Sequence, residues 1–276
     1  MMSFQLYPKI SVVTCAYNCE PFLEQSLASV ENQTYPNIEH IFNYSPSTDA
    51  TLTILEAYIR RNQHRYPIKL VYSEPGGVGR ALNNATAHAT GDVIHYLHGD
   101  DYYLGTDTLS KVACHFADNP DLVWLTGNFV VEWRGKRIIL PQTIILQPSL
   151  EIALSMMNFI SHENTFMKTA AVLQYGGFNE NKEDVVEYSL WLKLMRDHRP
   201  LIINDEFCVF IIHKGSTSTG SVLRLLQAVR RAFHTQRKEH VLPLVGHYAE
   251  RRSYQQLRGL LKRIAGWRSL LGMRML

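Results

Sequence analysis

The sequence has no long apolar run, and none approaches the roughly 20 residues needed to cross a bilayer as a helix. Its opening stretch, MMSFQLYPKI, lacks the apolar segment of a secretory leader, so a cytoplasmic chain is expected. Cysteine is scarce. Cys15, Cys19, Cys114 and Cys208 have neither the paired spacing of a zinc site nor the density of a disulfide scaffold, which fits a reduced compartment. Low-complexity tracts and internal repeats are also missing, which excludes a disordered chain and a solenoid. What remains is 276 residues, 46% of them hydrophobic, enough for the core of one large domain with or without an appendage.

Net charge is only +3, but the total hides a split. Residues 221–276 hold 12 Lys and Arg against 2 Asp and Glu, whereas the first 220 residues carry a net charge of −7. This divides the chain into an acidic body, 1–220, and a basic extension, 221–276. In SYQQLRGLLKRIAGWRSLLGMRML, Leu257, Leu260, Leu261, Ile264, Trp267 and Leu271 fall at helical spacing among arginines. Such a helix suits an anionic membrane surface, the body itself, or an oligomer contact. Nucleic acid is not expected, because no recognition motif accompanies the basic residues.

The body begins with a regular alternation. ISVVT (10–14), IEHIF (38–42), IKLVY (68–72) and DVIHYL read as strands, separated by helical patterns and short turns. This predicts an α/β fold with a mostly parallel sheet and helices on both faces over 9–105. The second half, 106–220, reads as mixed α+β. LVWLTGNFVVEWRGKRIIL predicts strands with a hairpin turn at Arg134-Gly135-Lys136. A helix is expected at 149–157, a strand at 163–168 and a helix at 187–197, followed by strands in LII and FCVFII.

In parallel sheets, ligands bind beyond the carboxyl ends of the strands. The run VIHYLHGDDYYL (93–104) places Asp100 and Asp101 at such an end, downstream of the Gly-rich turn PGGVG. Two adjacent carboxylates repel each other unless something neutralises them. A solvated turn with Asp101 capping the next helix is one solution. A hard divalent cation, Mg²⁺ or Mn²⁺, bridging to phosphate oxygens is the other.

Read in order, SVVTCAYN, ENQTYPNIEHIF, STDATLTIL, SEPGGVGRALNNATAHATGDVIHYLHGDD, GGFNE, EYSLWLKL and HKGSTS resemble the family-2 glycosyltransferases of GT-A fold. The resemblance runs from about Lys9 to Ser218. It implies an inverting, metal-dependent transfer of a sugar from a nucleotide sugar to a glycan or lipid-linked acceptor, in bacterial surface-polysaccharide synthesis. By the same resemblance, Thr14, Ala16 and Tyr17 hold the nucleotide, and Asp100 lies near the ribose or the metal. Asp101 is then the main ligand of Mn²⁺ or Mg²⁺. Arg80 stands where it could pair with the diphosphate, or be an ordinary surface residue of a helix's first turn. Glu187, in Val186-Glu187-Tyr188-Ser189-Leu190-Trp191, takes the place of the family's catalytic Asp, with Asp184 as a rival base. His162 and Glu163 resemble a pair on the acceptor side.

Two departures stand out. His98 occupies the first position of the DxD-type motif. Tyr44 stands where the family has a base-reading Asp; a tyrosine there can stack on a base or hydrogen-bond it, but cannot reproduce a carboxylate's charge-assisted acceptor. These departures keep open a non-catalytic nucleotide-sugar or glycan-binding module. A sugar nucleotidyltransferase fits less well, since its Gly-rich loop follows strand one, where this chain has TCAYN.

Overall fold

The computed structural model describes residues 7–140, 160–180 and 186–213. The helix expected at 149–157, Asp184, the HKGSTS run beyond His213 and the basic extension lie outside the described residues.

The first half is the expected alternation: β1 (Ile10–Ala16), α1 (Glu20–Glu31), β2 (Ile38–Tyr44), α2 (Thr51–Asn62), β3 (Ile68–Tyr72), α3 (Val78–Thr86) and β4 (Val93–Tyr96). Every residue of β2 and β4 is buried, as are all of β1 but Cys15. Strands covered on both faces read as continuous apolar runs, which is why these segments were legible. The second half adds β5 (Tyr102–Tyr103), α4 (Thr108–Asp118), β6 (Trp124–Thr126), β7 (Phe129–Trp133), β8 (Lys136–Leu140) and β9 (Thr165–Lys168). It closes with α5 (Thr169–Gln174), α6 (Tyr188–Asp197), β10 (Leu201–Ile202) and β11 (Cys208–Ile212).

The main sheet has the strand order β10-β6-β9-β4-β1-β2-β3. All its neighbours are parallel except β9, which runs antiparallel to both β4 and β6. A second sheet, β5-β11-β7-β8, stands beside it. One core, with Leu23, Leu27, Leu55 and Tyr58, lies under α1 and α2. The other, with Leu82, Ala85, Trp191 and Leu194, lies under α3 and α6. Helices therefore cover both faces. Because β2 and β4 flank β1 on opposite sides, the chain reverses direction across the sheet between β1 and β4, and a crevice opens at their carboxyl ends.

Three local differences from the sequence reading have physical reasons. Of the segment 163–168 only Thr165–Lys168 is strand, since His162–Asn164 forms a 3₁₀ turn. There the Asn164 amide acts as a strand: its Oδ1 accepts from the N–H groups of Phe207 and Cys208, and its Nδ2 donates to the Cys208 carbonyl. The helix after the Gly-rich turn starts at Val78, ahead of Arg80, and stops at Thr86. Past it, His88 N and Ala89 N close short turns onto the Ala85 and Thr86 carbonyls, and Thr90 and Gly91 donate to Glu39. In the hairpin, Lys136 already belongs to β8, leaving Arg134 (φ 50°) and Gly135 (φ 73°) as the turn.

Glu39 anchors the amino ends of the strands, opposite the crevice. Its carboxylate accepts from Lys9 Nζ, Ser11 Oγ, Thr90 N and Oγ1, and Gly91 N. Burial pushes this carboxyl up, but the hydrogen bonds from Lys9, Ser11 and Thr90 outweigh it and lower it from 4.5 to about 2. A depressed carboxyl stabilises the fold above its unfolded value, and the contribution is lost as pH falls through the folded value. We therefore expect about 3 kcal/mol of stability to disappear between roughly pH 4.5 and 2. Urea titrations at stepped pH check this, and Glu39→Gln should flatten that acid limb.

Candidate active site

The turn after β4 is built from α1 outward. Ser26 Oγ donates to the His98 carbonyl at 3.1 Å, and Asp101 N donates to the same carbonyl at 3.1 Å. This tight turn sends the Asp101 side chain inward, where it is 1% exposed. Its Oδ1 accepts from Ile211 N at 3.0 Å, tying the turn to β11. Its Oδ2 is buried and has no partner among the described residues. Burial, then the charges of Asp100 and Glu163, push the Asp101 carboxyl well above the usual carboxylate range. The capping role that the sequence left open is not the one Asp101 takes, since α4 begins at Thr108 with Asp107 before it.

Asp100 is partly exposed at the mouth, with its Oδ2 2.9 Å from His213 Nε2. His213 follows β11 directly, and its ring lies 4.3 Å from that of Phe22. The two carboxylates thus differ: one is paired with an imidazole at the rim, the other buried with a vacant lone pair. A vacant, repelled carboxylate oxygen beside a second carboxylate suits a divalent cation. Among the described residues no three His, Cys, Asp or Glu side chains gather as a metal cage. Mg²⁺-type sites commonly use one or two carboxylates completed by phosphates and water, so Asp101 and Asp100 fit such an ion.

The loops beyond β1 and β2 form the other wall. Asn18, held at φ 49°, accepts from Thr48 N through its Oδ1, and its own N–H donates to Ser47 Oγ. Ser45 N donates to the Ala16 carbonyl. Asp49 accepts from Thr51 N and Glu20 N, and Glu20 in turn accepts from Ala50 N, so this carboxylate holds the starts of α1 and α2 together. The rim is therefore one stitched unit. Tyr17, 55% exposed, stands out from it. Thr14 is 0% exposed, with its Oγ1 3.0 Å from His40 Nε2, so its side chain is spent inside the core.

Tyr44 also points inward. It is 5% exposed, its hydroxyl accepts from Ser47 N, and Tyr72 packs edge-on at 5.6 Å. Its hydroxyl shapes the 45–48 loop, so the position that carries a carboxylate in the family pattern is spent on structure. Arg80 is exposed and folds back over Gly76.

The second half supplies the floor. His162 is buried beside His98 (5.2 Å between ring centroids), Tyr96 (5.4 Å), Phe178 (5.3 Å) and Trp191 (6.0 Å). Burial, then His98 and His95, push its imidazole well below the usual range, so it stays neutral. His162 Nε2 and Trp191 Nε1 are both buried without a hydrogen-bond partner among the described residues. Glu187 is half-buried and immediately precedes α6, its carbonyl accepting from Trp191 N. The sequence reading missed His213 as the partner of Asp100. The only signal was its place at the head of HKGSTS.

The mannosyltransferase PcManGT of Pyrobaculum calidifontis, solved with GDP-Man and Mn²⁺, superposes with a TM-score of 0.67 at 22% identity, covering 85% of this chain and 66% of that one. With its mostly parallel sheet and mixed second half, the fold is GT-A. The profile of glycosyl transferase family 2 matches residues 11–175, more than half the chain, and the chain belongs to that family. An uncharacterised glycosyltransferase of Rickettsia typhi is 26% identical over 206 residues, 71% of this chain and 63% of its own length. The matched region thus spans less than two thirds of that relative. The UDP-Glc:alpha-D-GlcNAc-diphosphoundecaprenol beta-1,3-glucosyltransferase WfaP of Escherichia coli is 25% identical over 266 residues, 94% of this chain and 97% of its own length.

Proposed function

We propose that this chain is an inverting, metal-dependent glycosyltransferase that moves a sugar from a nucleotide sugar to a glycan or lipid-linked acceptor in bacterial surface-polysaccharide synthesis. The observation that carries this reading is the buried Asp101, with its vacant Oδ2, beside Asp100 at the carboxyl end of β4. The GDP-Man and Mn²⁺ in the P. calidifontis structure support the donor class and the ion, and the name of the E. coli relative supports a lipid-diphosphate acceptor.

In this reading Asp101 and Asp100 hold Mn²⁺ or Mg²⁺, which when bound supplies Lewis-acid stabilisation of the leaving diphosphate. The end of β1 at Thr14 and Ala16, with the Tyr17 ring, holds the nucleotide, and Arg80 can swing to its diphosphate. Tyr44 contributes by shaping the loop beneath the base. Glu187 takes the proton from the acceptor hydroxyl as that oxygen attacks the anomeric carbon. The bond from that carbon to the diphosphate oxygen breaks on the opposite face, so the configuration inverts. Asp184 is the alternative base. Among the described residues no helix is long and apolar enough to cross a membrane. The composition of the basic extension supports a peripheral contact on the inner face of the cell membrane, which would give access to a lipid-linked acceptor.

Incubation with UDP-, GDP- and dTDP-sugars, Mn²⁺ and an undecaprenyl-diphosphate-linked sugar tests the proposal. The expected result is a lengthened lipid-linked product and released nucleoside diphosphate, both lost with EDTA. Nucleotide-sugar binding without product across a broad acceptor set would favour a binding module.

A further inference from the structure

The family match and the candidate carboxylates leave unexplained a tight joint between α3 and the loop Gly176–Glu180. Asn83, on α3, forms both halves of a backbone-like pair with Phe178: its Nδ2 donates to the Phe178 carbonyl at 2.9 Å, and its Oδ1 accepts from Phe178 N at 2.8 Å. The same Nδ2 also donates to Glu180 Oε1 at 3.0 Å. Both surfaces are cut back to allow this approach. A Cβ on Gly79 would meet the Asn179 carbonyl oxygen at 2.0 Å, and one on Gly177 would meet Asn83 Oδ1 at 2.4 Å. Gly177 also sits at φ 67°, a conformation that glycine adopts without strain.

The joint leads in two directions. Phe178 is 3% exposed, with its ring edge-on to Tyr96 at 4.8 Å and 5.3 Å from His162, whose ring lies 5.2 Å from that of His98 in the turn that carries Asp100 and Asp101. Its neighbour Asn179 donates its N–H to the Val186 carbonyl at 3.1 Å, one residue before Glu187. Asn83 therefore fixes a loop that touches both the metal-side strand and the backbone leading into the candidate base. A different residue of the same helix, Thr86, bonds Tyr96 Oη at 2.6 Å and serves the core alone.

We infer that Asn83 is a positioning residue: it holds the Gly176–Glu180 loop so that Glu187 is set against the donor bound at the β1 and β4 ends. The inference rests on the role proposed for Glu187. It makes Asn83 a determinant of turnover and not of donor affinity, because among the described residues its side-chain bonds run to the loop. Geometric placement of a catalytic group within a fraction of an ångström is worth orders of magnitude in rate.

The test compares Asn83→Ala with Thr86→Val in the full chain. For Asn83→Ala, kcat should fall about 10-fold or more while the Kd for nucleoside diphosphate with Mn²⁺ stays within about twofold. Thr86→Val should lower the melting temperature and leave kcat within about twofold. If Asn83→Ala does not fold, Asn83→Asp serves, since it keeps the bond from Phe178 N and loses both donated bonds. Hydrogen exchange of peptides covering 176–180 and 186–190 gives a readout independent of turnover: both should exchange faster in the Asn83 variants and not in Thr86→Val. Unchanged exchange at 186–190, or a kcat loss matched by an equal loss of nucleotide affinity, overturns the inference. If the wild type transfers no sugar and the Asn83 variants still exchange faster at both peptides, the joint stands and the proposed activity is overturned.

Discussion

Asp101→Asn is expected to make the metal-free protein more stable while removing transfer. The wild-type carboxylate is buried, accepts one hydrogen bond from Ile211 N, and leaves Oδ2 vacant beside Asp100 and Glu163. A carboxyl raised in the folded state destabilises the fold once pH exceeds its ordinary value of 3.8, and the full penalty is reached above the folded value. The amide keeps the Ile211 bond and removes the charge. Its unpaired N–H costs something, but less than an unpaired charge. The net gain should be about 1 kcal/mol or more, roughly 2–4 °C in Tm for a chain of this size. It should grow as pH rises from about 4 toward neutrality. Transfer should fall by at least about 100-fold, because the stabilisation of the leaving diphosphate is lost. Thermal scans across pH, beside a transfer assay, check both halves. A variant less stable than wild type at every pH would make Asp101 an ordinary structural residue.

The second large effect concerns Glu187. Glu187→Gln keeps the size and the polarity of the side chain and removes its capacity to accept a proton. Nucleotide affinity should stay within about twofold, while kcat falls by about 10²–10⁴, the usual contribution of a general base. Isothermal titration and single-turnover kinetics separate these quantities. Should Asp184→Asn instead be the inactive variant with donor binding intact, the base belongs to that earlier position.

The parallel half was legible because β1, β2 and β4 are buried on both faces and its helices on one, so composition and period carried the signal. The antiparallel insertion of β9 between β4 and β6 was not. TFMK has the composition of any buried strand, and its partners are chosen by tertiary packing alone. Asp100 and Asp101 were legible as a motif at a strand end, yet their inequality was not. It arises from Ile211 and His213, which lie 110 and 113 residues away in sequence. The departure at Tyr44 was plain from the residues, whereas the use of its hydroxyl to hold Ser47 N depends on the loop's path. Asn83 carried no sequence signal, since an asparagine within a helix reads as an ordinary polar position.

The most direct measurement is thermal stabilisation of wild type and Asp101→Asn by UDP, GDP, dTDP and CMP compounds, each with and without Mn²⁺. The account predicts that at least one nucleoside diphosphate raises the wild-type Tm, that Mn²⁺ enlarges the rise, and that Asp101→Asn abolishes the Mn²⁺-dependent part. A rise that is identical with and without Mn²⁺, or equal in the two proteins, would contradict the assignment of Asp101 as the residue through which the ion and the nucleotide meet.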